Sequence, residues 1–386
     1  MDESNMFDPV FKTFVVYYRR AGLNFQLLRN LEQQVKTSPT PDAAYQILFS
    51  TMKQQVEKKA TQKVVTDEAK RRLELADQAI AFAKAQIPFG AGNQLLAALA
   101  TAGNSSRRMD KAKASAQFGQ LSNKSDTSGS VALIAKATQG ATCREYASLV
   151  YEFLKDTQGC LVEIDAIKGI DHTFVVLRNP GEKLSDMVVA DAWPTFAQAV
   201  LLEDHFVGYQ ANAENLLAGS VVPGVPIGPL LVHDIQGLAK ELLGSNLDAI
   251  QDGSKKVEYI LTMNKMGLAP FSTCTLGPVF YKTEQQETTG FWPPQRADLP
   301  LQHRTVEEES KRLEALIGPV QPKKSELPKD AREGEDKNGK YIEYGKKRYY
   351  WYGADETDMS FALECKEDII EKINTGDFEK LESYLA

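Results

Sequence analysis

Gln139-Gly140-Ala141-Thr142-Cys143-Arg144-Glu145-Tyr146-Ala147 is the stretch on which the reading of this chain turns. Gly140 breaks the structure before it, and Cys143 falls at the start of a new helix whose buried face is Tyr146, Ala147, Val150 and Leu154. A thiol at a helix N-terminus meets the positive end of the dipole and the first-turn N–H groups, and both favour the thiolate. The same N–H groups suit the oxyanion of a tetrahedral intermediate. Further along, Asp171-His172-Thr173-Phe174-Val175-Val176-Leu177 sets a histidine at the head of an apolar strand. Met187-Val188-Val189-Ala190-Asp191-Ala192-Trp193-Pro194 then sets an acid at the end of the next. If the two strands are neighbours, Asp191 reaches the His172 ring and orients it.

Order and context resemble the papain-like or transglutaminase-like superfamily, and within it the bacterial toxins and secreted effectors that are cysteine proteases and glutamine deamidases. The shared elements are G-x-x-C at Gly140, D-H-x-F-V at Asp171 and V-x-D-x-W at Val189, with Ala192 where the family commonly has proline. The resemblance runs from Gln139 to about Phe196 and implies Cys143 as nucleophile, His172 as base and Asp191 as orienter. Gln139 is a candidate oxyanion donor, although its spacing to the cysteine is shorter than the papain pattern. Trp193 is a candidate for covering the triad or lining a substrate groove. The implied fold is α+β, a papain-like catalytic core with an N-terminal helical domain and a small C-terminal extension.

The implied activity is thiol acyl transfer on a protein substrate in a host or competitor cell, with no cofactor and no metal. Protease, deamidase, transglutaminase and acetyl-CoA-dependent acetyltransferase share these three residue types. The alternative is a non-enzymatic adaptor with an inactive papain-like domain. Cys160, Cys274 and Cys365 read as small buried hydrophobes, having neither a helix start nor a partner histidine. His205, beside Glu203 and Asp204, follows the acid and is in the wrong order to be the base. Asp186, the other acid near the second strand, lies in the turn.

Composition supports a folded chain of two or three domains: 386 residues, 42% hydrophobic and 25% charged. Four scattered cysteines without a CxxC pair exclude a disulfide scaffold and a zinc ribbon. A net charge of −7 argues against a protein built to grip nucleic acid. The charge is uneven: residues 1–130 carry 18 Lys+Arg against 12 Asp+Glu, and the remainder carries 27 against 40. Helical spacing over 7–36, the break at Ser38 to Asp42, and the Thr66-Asp67-Glu68 cap predict a helical bundle over 1–100 with a docking or localisation role. Residues 101–130, rich in Ser, Gly, Asn and Lys, read as a flexible linker with Arg107 and Arg108 in solvent.

The catalytic domain is then 131–318, with strands at 160–167, 172–178 and 187–190. A second linker covers 319–340, and a hairpin and helix cover 341–386. Leu216 to Val232 carries no formal charge but is short for a membrane span and holds three prolines, so it reads as a buried or crossing loop. The N-terminus shows no secretory signal, which fits a protein held in a bacterial cytoplasm and delivered to a target cell by a dedicated secretion machine.

Overall fold

Helix-forming and strand-forming segments alternate in a mixed α+β arrangement. The computed structural model describes residues 25–57, 60–114, 128–167, 172–183, 186–205, 216–219, 235–244, 250–262, 279–284, 304–317 and 327–353, with scattered positions between 366 and 384. The chain divides into two units, the first comprising 1–228 with 238–309 and the second 229–237 with 310–386.

In the first unit, α1 (Phe25–Lys36) and α2 (Pro41–Glu57) precede a short strand β1 (Thr61–Val64). Helix α3 (Asp67–Gln86) starts where the sequence places a cap: the Thr66 hydroxyl accepts the Ala69 N–H at 3.1 Å, with Asp67 and Glu68 in the first turn. Then come α4 (Leu95–Ala100), α5 (Asn104–Ala114), α6 (Ser128–Thr138) and α7 (Cys143–Leu154). The strands β2 (Leu161–Ile167), β3 (Thr173–Arg178), β4 (Val188–Ala190), β5 (Val200–Leu201) and β6 (Leu216–Gly219) form one sheet in the order β5-β4-β3-β2-β6, antiparallel throughout. Phe174, Val175, Val176 and Leu177 of β3 are all buried, so both faces of the sheet centre are covered. Helices α7 and α3 pack on this sheet, and Leu73, Ala76, Ile80 and Ala83 share its core with Tyr146 and Val150. Two further helices, α8 (Ile235–Leu243) and α9 (Gly253–Thr262), precede β7 (Val279–Lys282), which pairs in parallel with β1.

Helix α10 (Val306–Ile317) is followed by a three-stranded antiparallel meander in the second unit, β8 (Ala331–Asp336), β9 (Gly339–Tyr344) and β10 (Lys347–Gly353). Its core gathers Ile342, Tyr349, Trp351, Ile369, Ile370, Ile373 and Leu381. No helix among the described residues is long and apolar enough to cross a membrane.

Four sequence expectations change. Of the helices in 25–100, α1, α2 and α4 gather a core of their own together with α9, whereas α3 completes the core of the sheet. Residues 104–114, expected in a flexible linker, are helical, and Arg108 is buried. Its Nη1 donates to the Thr138 carbonyl at 2.9 Å and to Glu309 at 3.2 Å, and its guanidinium lies over Phe89. The second expected linker contains β8, so the C-terminal hairpin becomes a meander. Leu216–Gly219, expected in a loop, is the edge strand beside β2, while 220–232 lies outside the described residues.

Candidate active site

The site begins with the backbone leading into α7. Gln139 takes a left-handed conformation (φ 53°) that turns the chain out of α6. At the next residue the backbone of α5 approaches so closely that a Cβ on Gly140 would stand 2.2 Å from the Arg108 carbonyl group. Thr142 is extended, and its N–H and Oγ1 both donate at 2.6 Å to Oε2 of Glu145, one turn into the helix. The Tyr146 N–H bonds the Thr142 carbonyl, which fixes Cys143 as the first helical residue. Cys143 is buried, 8% exposed.

Opposite it, β3 and β4 are hydrogen-bonded neighbours, with Val175 across from Ala190. That register brings His172, just before β3, beside Asp191, just after β4. His172 Nε2 lies 2.6 Å from Asp191 Oδ2, and the His172 side chain also hydrogen-bonds Cys143. With Nε2 taken by the acid, Nδ1 is the nitrogen left to face the thiol. The other carboxylate oxygen, Oδ1, accepts the Trp193 N–H at 3.0 Å.

Electrostatics follow from this geometry. Burial opposes the charged imidazole of His172, but the Asp191 charge, its hydrogen bond and the Cys143 contact outweigh it and push the ring up to about 10. Burial likewise opposes the ionised form of Asp191, yet His172 and His205 hold the carboxyl well below the usual carboxylate range. His205 moves the other way: burial and the nearby His172 lower it, against the pull of Asp191. Two imidazoles shifted in opposite directions thus flank a single carboxylate.

The structure brings together Cys143, His172 and Asp191 and gives the other named residues definite places. Gln139 is buried, with Oε1 accepting from Arg304 Nη1 at 2.6 Å, which sets the orientation of its amide. Trp193 packs beside His172. It is 2% exposed, its ring centroid stands 5.0 Å from that of His172, its Nε1 donates to Asn93 and its carbonyl accepts from Gln94. Asp186 is exposed, whereas Asp191 is buried against His172. Cys160 is partly buried and burial pushes its thiol up; Cys274 and Cys365 lie outside the described residues.

His205 is the residue whose place sequence order does not reveal. Its Nε2 lies 3.0 Å from the same Asp191 Oδ2. The donor atoms of His172, Asp191 and His205 all fall within 4.8 Å, a set able in principle to hold a metal ion. Ligands about 2.0–2.1 Å from a tetrahedral metal stand about 3.3 Å apart. In the structure the separations are 2.6 and 3.0 Å, those of hydrogen bonds. No family model, no curated protein and no solved structure matches this chain.

Proposed function

We propose that this protein is a thiol acyl-transfer enzyme acting on a protein substrate, as a glutamine deamidase or transglutaminase or as a cysteine protease, with a papain-like arrangement of Cys143, His172 and Asp191. The observation that carries the reading is the buried hydrogen-bonded chain from Cys143 through His172 to Asp191, set at a helix N-terminus. As a packing device it is a poor choice, because apolar residues of similar size fill such a space at equal or lower free energy. As a catalytic device each member has a task.

In the reactive state the thiolate of Cys143 faces the imidazolium of His172. The thiolate adds to a carbonyl carbon, and the C=O electron pair moves to oxygen. First-turn N–H groups of α7 stabilise that oxyanion, and Gln139, oriented by Arg304, stands four residues before the nucleophile. His172 gives its Nδ1 proton to the departing nitrogen as the C–N bond breaks, leaving a thioester and a neutral imidazole. His172 then takes a proton from water or an amine as it attacks, and the intermediate collapses with the Cys143 thiolate departing, which restores the thiolate–imidazolium pair. Asp191 holds the ring and balances its charge in both steps.

The test compares purified full-length protein with Cys143→Ala in a target-cell lysate by mass spectrometry. Cleaved chains identify a protease, Gln-to-Glu conversion a deamidase, and Gln–Lys cross-links a transglutaminase, each absent with Cys143→Ala. Identical lysates in both arms, together with Cys143 alkylating no faster than the other three cysteines at neutral pH, would overturn the reading.

A further inference from the structure

Asp191 carries more donors than a base-orienting acid needs. Oδ1 accepts from the Trp193 N–H, and Oδ2 meets both His172 Nε2 at 2.6 Å and His205 Nε2 at 3.0 Å. His205 does not arrive there on a loose loop. It ends a 3-10 turn, Leu202–Asp204, and its own N–H bonds the Leu202 carbonyl. Strands β1 and β7 grip that turn: Lys63 Nζ lies 2.6 Å from Asp204 and 2.7 Å from Glu203, and the Tyr281 hydroxyl donates to Asp204 at 2.7 Å while accepting the Leu201 N–H at 3.0 Å. The ring is 1% exposed and lies against Phe174, with a centroid separation of 4.8 Å.

Resting on the acyl-transfer reading above, we propose that His205 is a positioning residue, the second donor on Asp191 Oδ2, which holds the carboxylate in the place from which it orients His172. A ring required only to fill this space would be cheaper as phenylalanine, since a buried imidazole must be hydrogen-bonded to be tolerated. The charged and titratable groups around it agree with the role. Asp191 faces Nε2, the His172 ring lies 6.1 Å away centroid to centroid, and Asp204 is occupied by Lys63 and Tyr281. Burial and the neighbouring His172 lower His205, and the neutral ring that this favours can meet the carboxylate as a donor only with its proton on Nε2. That tautomer donates to the carboxylate without competing for the charge that His172 requires.

The experiment measures the rate of Cys143 alkylation by iodoacetamide against pH in the full chain, for the wild type, His205→Gln and His205→Leu. Glutamine retains an N–H donor at about the reach of Nε2; leucine fills the space without one. Expected are a wild-type profile with rapid labelling at neutral pH and near-retention of it in His205→Gln. In His205→Leu, labelling at neutral pH slows about 10- to 100-fold and the profile moves upward in pH. A folded His205→Leu with the wild-type profile would overturn the positioning role while leaving the acyl-transfer reading standing. A wild type without rapid labelling of Cys143 sinks both. Imidazole nitrogen NMR of histidine-labelled wild type provides a second measurement independent of any variant's folding. A neutral Nε2–H tautomer at His205 beside a charged His172 supports the assignment, and a proton on Nδ1 or a second imidazolium overturns it.

Discussion

Gly140 shows how a single residue can be identified correctly and for only part of the reason. Sequence reading makes it a breaker before Cys143. In the structure the left-handed turn belongs to Gln139, and Gly140 is required because the backbone of α5 leaves no room for a Cβ. The atoms in the way are main-chain atoms of Arg108 and Met109, which cannot step aside as a side-chain tip can. We therefore expect Gly140→Ala to lower stability by about 1–3 kcal/mol, read as a shift of the urea midpoint, and to slow Cys143 alkylation by displacing the start of α7. An unchanged midpoint would contradict the close packing. Cys143, His172 and Asp191 are visible in sequence because they sit beside strong local signals: a glycine break before a helix with an apolar face, and two apolar strands. His205 is not, because what holds it comes from Lys63 and Tyr281, far away in the chain, and Glu203-Asp204 looks like any charged surface turn.

At the scale of elements, α3 carries a titratable group with a consequence for pH dependence. Asp77 lies partly buried on its sheet-facing side and accepts the Ala199 N–H at 2.8 Å, next to β5. Burial pushes its carboxyl up to about 6, against the opposing pull of that hydrogen bond. A folded-state value above the unfolded 3.8 means that Asp77 supports folding most below that pH. The contribution is lost as pH rises through about 6. Asp77→Asn keeps an acceptor for Ala199 and removes the ionisation. It should therefore gain roughly 1–3 kcal/mol over wild type at pH 8, after discounting for partial exposure, and little at pH 4. Denaturant midpoints at the two pH values check this, and an equal difference at both would contradict it. Elements with strong local signatures, the Thr66 cap of α3 and the apolar runs of β3 and β4, are legible in the sequence. Helix α5 is not. Its buried positions Ser105, Ser106, Arg108, Met109 and Ala112 recur at helical spacing, but mostly small and polar side chains carry the pattern, so a search for apolar periodicity finds nothing. Strand β6 is hidden for a related reason: an edge strand is defined by its partner, here β2, more than by its own residues.

For the whole molecule, the basic front and acidic body of the sequence look like two modules with separate tasks, but within the first unit residues of both are joined by ion pairs and share one core through α3. Arg72 forks onto Glu182, Lys63 reaches Glu203 and Asp204, Arg108 meets Glu309, and Lys111 pairs with Glu241. Part of the charge asymmetry is thus neutralised within the chain, which weakens the case that the front's basic residues exist for an external docking partner. The front also holds the segment around Trp193, through Lys84 to the Pro194 carbonyl at 2.6 Å, Gln94 to the Trp193 carbonyl and Asn93 to its indole. These dependencies decide what a truncated chain can do. Leu73, Ile80 and Ile87 belong to the same core as Tyr146 and β3, and losing such side chains forfeits roughly 5–9 kcal/mol at about 1.5–3 each. That is comparable with the whole stability of an ordinary domain, about 5–15 kcal/mol. A fragment spanning 131–318, the catalytic domain expected from sequence, should therefore show no cooperative thermal transition and no selective labelling of Cys143. The full chain should show both. A fragment that melts cooperatively and labels like the full chain would mean that the helical front is a dispensable neighbour rather than part of the core on which Cys143, His172 and Asp191 are assembled.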